Sequence, residues 1–215
     1  MSMGVSSGIL KWLNQMSNKK QLTIYHQDLF PTRVWTVDLG VLAPFKDEWM
    51  SIISDMQTKS PVPAGRSNRM GWNSQPTLFE HEQFAELADA VRGVFDFIFK
   101  EMGPPNFKYK LEAWANTHTT GGYNTFHTHP GALLSACYYL HLPKESGGLV
   151  LKDPRPGAML SPWQGSLKPN SGSEITIMPQ EGQLIIFPNW LEHATEANRD
   201  ENTRISIPVN AVLSM

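Results

Sequence analysis

Two histidines separated by one residue, His127 and His129, are the residues whose types and spacing most clearly suggest chemistry. On a β-strand, residues i and i+2 face the same side about 6.5 Å apart, so this pair could direct two imidazoles at one ion. Metal–nitrogen distances of about 2.1 Å are compatible with such a chelate. The alternative, from the pair alone, is an exposed hairpin edge on which both side chains face water.

A second set of candidates follows towards the end of the sequence. His193 comes after the apolar run QLIIFP and an aromatic turn, and Arg204 and Ser206 share one face of the strand RISIPVN. An arginine between apolar neighbours should be paired if it is buried. Its guanidinium suits a carboxylate bidentately, and a neighbouring Ser hydroxyl adds a hydrogen bond. The alternative is an Arg204 side chain that points outward into solvent.

The elements that must position these residues are mainly β-strands. From Phe107 onward, short β-rich runs alternate with Gly and Pro turns, which is typical of a jelly roll or barrel rather than a parallel α/β sheet. Helical spacing of apolar residues predicts two helices, at 44–57 and 78–102, with Thr77 and Glu80 as a capping box for the second. We expect both helices to pack on one face of the barrel.

Composition argues against several classes of protein. The 215 residues carry 18 Lys and Arg against 20 Asp and Glu, so no basic field for nucleic acid is expected. The sequence contains neither an apolar run of membrane-spanning length nor a signal peptide, and its single cysteine, Cys137, fits the reducing cytoplasm. Residues 1–20 are expected to be a tail and 21–215 one domain, whose edge strand near 22–38 could pair in a homodimer.

Taken in order, the segments of this sequence resemble the non-haem iron(II)/2-oxoglutarate-dependent dioxygenase superfamily. More narrowly, they look like a group of 2-oxoglutarate/iron(II) oxygenases distantly related to the prolyl hydroxylases. Each piece alone is weakly specific, whereas the ordered set is fairly specific. The pieces are LFPTRVW (29–35), GWNSQ (71–75), EAWAN (112–116), HTHPGALLSACYYLHLP (127–143), GGLVLKDPRP (147–156), QLIIFPNWLEH (183–193) and RISIPVN (204–210).

The resemblance implies a fold and a co-substrate. The fold is expected to be mainly β with flanking helices, a double-stranded β-helix of jelly-roll or cupin-like type. Arg204 would bind the far carboxylate of 2-oxoglutarate, with Ser206 assisting. Tyr138 or Tyr139 would hydrogen-bond the same molecule. The two tyrosines alternate in direction, so only one can face inward, and the superfamily pattern favours Tyr139.

The resemblance also implies that Fe(II) is held by His127 and His193, and position 129 departs from its pattern. Most members carry a carboxylate two residues after the first histidine, where this chain has His129. Three histidines could bind the metal, His129 could lie off it with water or substrate in its place, or a distant carboxylate such as Asp153 could substitute. We favour three-histidine ligation, although nitrogen ligands also suit zinc, nickel and copper.

The implied reaction is hydroxylation of a small-molecule or peptide substrate by O2, with decarboxylation of 2-oxoglutarate to succinate. Two rival interpretations remain open from the sequence. One is a three-histidine iron oxygenase that does not use 2-oxoglutarate, in which Arg204 would bind a carboxylate of the substrate. The other is a jelly-roll binding module without catalytic activity.

Overall fold

The computed structural model describes Tyr25, Gln27 and residues 29–65, 67–103, 107–157 and 173–214. The predicted tail, 1–20, and the predicted domain start at residue 21 lie outside these residues. The chain divides between Thr32 and Arg33 into two units, and the sheets, the helices and the candidate site all belong to the second.

The second unit is built mainly from antiparallel strands, as the sequence predicts. The strands of the described residues are β1 (Trp35–Asp38), β2 (Asn68–Asn73), β3 (Tyr109–Ala113), β4 (Asn116–Asn124), β5 (Ala132–His141), β6 (Leu149–Lys152), β7 (Glu174–Ile177), β8 (Gln183–Pro188), β9 (His193–Thr195) and β10 (Arg204–Leu213). One sheet has the strand order β1-β8-β5-β10-β4-β2, with β3 pairing along the second half of β10, and a smaller sheet has the order β7-β6-β9.

Two α-helices in the described part of the chain flank the larger sheet, close to the predicted positions. Helix α1 spans Lys46–Lys59 and follows a 3-10 helix at Gly40–Phe45, and helix α2 spans Ala85–Met102. Among the described helices, none is both long enough and apolar enough to cross a membrane.

The predicted start of the second helix is wrong by about two turns. Two short 3-10 helices, Leu78–Glu80 and Glu82–Phe84, precede α2, because His81 between them has an extended backbone. The Thr77 side chain caps neither of them, so the predicted capping box does not form. The backbone turn is closed instead by the Glu80 amide, which donates to the Thr77 carbonyl at 2.9 Å.

The helices cover one face of the larger sheet, which we call the helix-side face. Trp49 of α1 packs edge-on against Tyr138 of β5, with ring centroids 6.2 Å apart, and stacks on Phe84 at 5.5 Å. Alternate residues of the central strands complete this core, because side chains along a strand point to opposite faces. Its strand residues include Leu134, Ala136, Tyr138 and Leu140 of β5, Leu184 and Ile186 of β8, and Ile205, Ile207, Val209 and Ala211 of β10.

The opposite face of the same strands, which we call the site-side face, is turned towards the smaller sheet. It carries Cys137 and Tyr139 of β5 and Ile185 and Phe187 of β8, packed with Leu149 of β6. By the same alternation, β10 presents its polar residues to this side. The β-strands therefore separate an apolar core from the face that holds the candidate site.

Candidate metal and co-substrate site

His127 and His193 are placed opposite each other by a backbone bridge. The His127 amide donates to the His193 carbonyl and the His193 amide to the His127 carbonyl, both at 3.0 Å. Residues that exchange both hydrogen bonds in an antiparallel pair have adjacent side chains. The ring centroids are accordingly 4.3 Å apart, and the two imidazoles are held together by main-chain geometry.

His129 is positioned by the turn that follows it. The Ala132 amide donates to the His129 carbonyl at 3.2 Å, and Gly131 has φ 91°, so His-Pro-Gly-Ala forms a turn that needs glycine at its third position. The expectation that both histidines lie on a regular strand is therefore wrong: β4 ends at Asn124, and His127 makes only an isolated bridge. A turn, rather than strand alternation, gives His129 its direction.

The three imidazoles nevertheless converge. One nitrogen from each of His127, His129 and His193 lies within 4.8 Å of the others, and the group is the one cluster of potential metal ligands within the described residues. Asp153, considered from the sequence as a replacement carboxylate, is not part of it. Its carboxylate instead binds the Arg155 guanidinium, with Nε at 2.9 Å and Nη2 at 2.6 Å.

Burial keeps these three side chains neutral. Loss of solvent lowers the pKa of His129 to about 4 and of His193 to about 3, in each case helped by the neighbouring His127, and lowers the pKa of His127 as well. Neutral imidazole is the form that binds metal. A proton on one ring makes protonation of the neighbouring rings less favourable. The three neutral imidazoles are therefore suited to sharing one metal cation.

Hydrogen bonds fix the orientation of two of the rings. The Nδ1 atom of His127 lies 2.8 Å from the Thr125 carbonyl oxygen, and that of His193 lies 2.9 Å from the Leu191 carbonyl oxygen. A carbonyl only accepts, so each Nδ1 carries the hydrogen and each Nε2 presents a lone pair. This is the usual arrangement behind a metal-ligating histidine.

The histidines open into a cavity of about 380 Å³. Among the described residues that line it, none carries a charged side chain of Asp, Glu, Lys or Arg. Its polar wall is formed by Ser67, Asn68, Asn73, Ser74, Gln75, Asn116, Asn124, Thr128, Thr195 and Ser206. Trp114 adds an aromatic surface and packs against His129 with a centroid distance of 5.7 Å.

Of the two tyrosines considered from the sequence, only Tyr139 lines this cavity. Tyr138 belongs to the helix-side core and is excluded from the site by strand alternation. Within the described residues, the buried hydroxyl of Tyr139 has no hydrogen-bond partner. Burial raises the pKa of Tyr139 well above its usual value, so the phenol stays protonated and can donate. Ser206, paired with Tyr139 across the strands, also lines the cavity.

Arg204 lies two residues before Ser206 on the same strand face and is 1% exposed. Its Nη1 donates to the Ser146 carbonyl at 3.0 Å, and its Nε has no partner among the described residues. No described carboxylate forms an ion pair with it, so the expected partner of a buried arginine is not a side chain of the described chain. A guanidinium and a phenol with unmet donors fit an anionic ligand with acceptor atoms, such as a carboxylate.

His118 is a site-side residue that the sequence did not single out. It is fully buried and, within the described part of the chain, neither ring nitrogen has a hydrogen-bond partner. It pairs directly with Arg204 across β4 and β10. Burial lowers its pKa to about 3, Arg204 acts in the same direction, and the Asn124 side chain opposes them. A lone His in a Thr-rich strand gives no sequence signal of this role.

The described residues form a β-jelly roll in which three histidines converge closely enough to hold a metal ion. Residues 112–210 match the family described as "Putative 2OG-Fe(II) oxygenase", and this segment holds all three histidines and Arg204. Over these residues the chain is similar to the 2-oxoglutarate/iron(II)-dependent oxygenases, a class named for its metal, Fe(II), and its co-substrate, 2-oxoglutarate. The family resemblance, the enzyme class and its cofactors, all predicted from the sequence, are confirmed.

Solved structures confirm the double-stranded β-helix fold. A Pseudomonas putida prolyl-4-hydroxylase superposes with a TM-score of 0.63 at 12% identity, covering 86% of this chain and 94% of its own. A Trichoplax adhaerens prolyl hydroxylase, solved with a hypoxia inducible factor peptide fragment, gives 0.60 at 12% identity and covers 83% of both chains. HygX of Streptomyces hygroscopicus, with nickel and 2-oxoglutarate bound, gives 0.59 at 13% identity, covering 84% and 83%. No curated protein matches in sequence.

Proposed function

We propose that this protein is a hydroxylase that couples oxidation of an uncharged substrate by O2 to decarboxylation of 2-oxoglutarate to succinate. His127, His129 and His193 hold Fe(II), and Arg204, Ser206 and Tyr139 bind the co-substrate. The observation that carries the proposal is the convergence of three neutral imidazoles at a cavity that also presents the unpartnered Tyr139 hydroxyl, beside the buried Arg204.

The donors of this site fit the two groups that the class requires. His127, His129 and His193 would hold Fe(II) through neutral imidazoles, and the bound Fe(II) would supply the activation of O2. Fe(II) with three imidazoles and a 2-oxoglutarate dianion sums to zero charge. The uncharged wall of the cavity suits this neutral assembly.

The residues of the chain bind and orient the co-substrate. Arg204 offers a positive charge for the distal carboxylate of 2-oxoglutarate, and the Tyr139 and Ser206 hydroxyls offer hydrogen bonds. Leu149 and Phe187 line the same cavity and exclude water from it. Because burial also raises the pKa of the Cys137 thiol, this neighbour stays uncharged and does not repel a carboxylate.

The substrate is assigned to uncharged molecules that form hydrogen bonds. The described cavity wall holds amide and hydroxyl groups and no charged side chain, so a free amino acid would leave two charges unmatched. A peptide main chain or a hydroxyl-rich small molecule matches such a wall. The Trichoplax adhaerens neighbour was solved with a peptide fragment, which makes uncharged peptides the first class to examine.

The experiment that tests this function measures binding and turnover separately. Anaerobic addition of Fe(II) and 2-oxoglutarate should produce a visible metal-to-ligand charge-transfer band, and admission of air should release succinate. His193→Ala should remove both signals. Arg204→Met should remove the band at 2-oxoglutarate concentrations that saturate the wild type.

His141→Asn is a matched control, because His141 pairs with Glu181 at 2.7 Å outside the cavity and its loss should leave both signals unchanged. A band without succinate release, with and without uncharged peptides, would favour a binding module. Succinate release that is insensitive to Arg204→Met would contradict the proposed co-substrate clamp. Oxygen consumption without 2-oxoglutarate would favour the three-histidine oxygenase that needs no co-substrate.

Two further parts of the proposal concern the surroundings of the enzyme. We assign it to the reducing cytoplasm on the strength of its single cysteine. We also propose a homodimer through the edge strand β1, which has a strand neighbour, β8, on one side. Size-exclusion chromatography with light scattering tests the dimer, and a lysine at the exposed Thr36 of this strand (Thr36→Lys) should convert it to a monomer.

A further inference from the structure

Asn210 contacts His129, the histidine that stands where most members of the family carry a carboxylate. It lies on β10 and points to the same face of the sheet as Ser206 and Pro208, which line the cavity. Its side-chain nitrogen is 3.3 Å from Nδ1 of His129, and its side-chain oxygen accepts a hydrogen bond from the Ser135 hydroxyl at 2.8 Å. A single amide therefore bridges a buried serine and a candidate metal ligand.

This contact distinguishes His129 from the other two histidines. A backbone carbonyl can only accept, so the tautomers of His127 and His193 are fixed with Nε2 free for a metal. The amide of Asn210 has both a donor and an acceptor of nearly the same shape. His129 is thus the one ring of the three whose tautomer depends on which end of a side chain faces it.

Two arrangements satisfy the same hydrogen bonds. With the amide nitrogen towards His129, Nδ1 accepts, the hydrogen resides on Nε2 and that atom has no lone pair for a metal. With the amide rotated by half a turn, its oxygen accepts from Nδ1–H and Nε2 is free, while its nitrogen donates to the Ser135 oxygen. The Ser135 hydroxyl both donates and accepts, so neither arrangement loses a bond.

We propose that Asn210 is a positioning residue that selects the tautomer of His129 and thereby determines whether His129 is a metal ligand. In the metal-free protein, the amide nitrogen faces His129 and the ring carries its hydrogen on Nε2. Metal binding rotates the amide, and His129 completes the site as the third ligand. This inference rests on the proposed metal site and adds a residue to it.

The test uses Zn(II) alone, without 2-oxoglutarate or oxygen, and two Asn210 variants. Asn210→Asp presents only acceptors and should favour the ligating tautomer, whereas Asn210→Leu presents neither donor nor acceptor. Zn(II) titration by calorimetry at constant pH should give a dissociation constant about tenfold lower for Asn210→Asp and about tenfold higher for Asn210→Leu. Each change should disappear in a His129→Ala background.

The His129→Ala background distinguishes tautomer selection from direct zinc binding by the introduced aspartate and from a general charge effect. An Asp at position 210 that bound zinc itself, or that attracted it only by charge, would still tighten binding after His129 is removed, and this result would overturn the proposal. Equal Zn(II) affinity of the wild type and both variants would also overturn it. Zn(II) binding that is unaffected by His127→Ala and His193→Ala would instead refute the metal site itself.

A spectroscopic measurement reads the tautomer directly. Two-bond nitrogen–proton correlations of the imidazole rings should assign His129 to the Nε2–H form in the metal-free wild type. They should assign it to the Nδ1–H form in metal-free Asn210→Asp and in the Zn(II)-bound wild type. The same His129 tautomer in all three samples would overturn the proposal, even if the affinities changed.

Discussion

The two faces of the larger sheet are formed by the same strands and are filled in opposite ways. On the helix-side face, Tyr138 packs against Trp49 within a continuous apolar core. On the site-side face, its neighbour Tyr139 has a buried hydroxyl without a partner in the described residues, close to Arg204 and His118, which also have unpartnered nitrogens. The comparison indicates that one face stabilises the fold while the other keeps polar groups available for ligands.

The energetic consequence is that the site-side face is costly when it is empty. Each buried polar group without a partner costs about 1–3 kcal/mol, and a charged one costs more. Ligands that satisfy such groups bind the native state alone and stabilise it. Substitutions on the helix-side face should therefore mainly lower stability, and substitutions on the site-side face should mainly weaken ligand binding.

The largest effect on stability is expected on the helix-side face. Trp49 is fully buried, stacks on Phe45 and Phe84, and donates through Nε1 to the Gln83 carbonyl at 2.7 Å. Trp49→Ala should reduce the free energy of unfolding by about 3–5 kcal/mol because it leaves a cavity and an unmet carbonyl. Urea unfolding measures this loss, and Zn(II) affinity of the folded variant should be unchanged. A large loss of Zn(II) affinity would show that the two faces are not independent.

Arg204 should give a change of the opposite sign. Arg204 is buried and has no carboxylate partner among the described residues, so the apolar Arg204→Met should stabilise the metal-free protein by about 1–4 kcal/mol by removing this charge. The stabilisation by Ni(II) and 2-oxoglutarate together, seen as a rise in Tm, should be lost. A less stable metal-free Arg204→Met protein would instead assign Arg204 a structural role through its bond to Ser146.

His118 should make stability depend on pH. Its pKa of about 3 in the folded protein lies below the ordinary 6.5, so the unfolded state binds the proton and stability falls as pH drops below about 6.5. Between pH 8 and pH 5, the wild type should lose about 2 kcal/mol more than His118→Gln, whose side chain does not titrate. Urea unfolding in EDTA measures both proteins, and the other histidines cancel in the difference. Parallel pH profiles would contradict the lowered pKa.

Much of the fold was predictable because alternation is a local property of a strand. The opposite directions of Tyr138 and Tyr139, the helices and the antiparallel strands all follow from patterns within short segments, whereas the choice of Tyr139 came from the family resemblance. The set of three histidines came from the family resemblance, and the geometry brings them together through a bridge and a turn. Sequence periodicity alone did not define the direction of His129, because Pro130 and Gly131 remove it from a strand.

The contacts that the sequence did not reveal are long-range pairings. Asn210 and His129 are 81 positions apart, and their contact depends on the register of β5 with β10, which shifts between Ile205 and Ser206 and again between Ala211 and Val212. A bulge changes which side chains meet without leaving a clear mark in composition. His118 was missed for the same reason, since only strand pairing places it beside Arg204.

The smallest effect provides the closest comparison, because Tyr138 and Tyr139 are adjacent and undergo the same substitution. Tyr139→Phe removes one hydrogen bond to 2-oxoglutarate and should weaken its binding by about 1 kcal/mol, or about fivefold in Kd. The stability of the metal-free variant should not fall, since the lost hydroxyl has no partner among the described residues. Tyr138→Phe should leave 2-oxoglutarate affinity unchanged, because its ring lies in the helix-side core.

Titration of the anaerobic Fe(II) protein with 2-oxoglutarate measures both variants. Equal affinities would remove Tyr139 from the co-substrate site, whereas weaker binding by Tyr138→Phe would show that ligand binding is transmitted through the sheet.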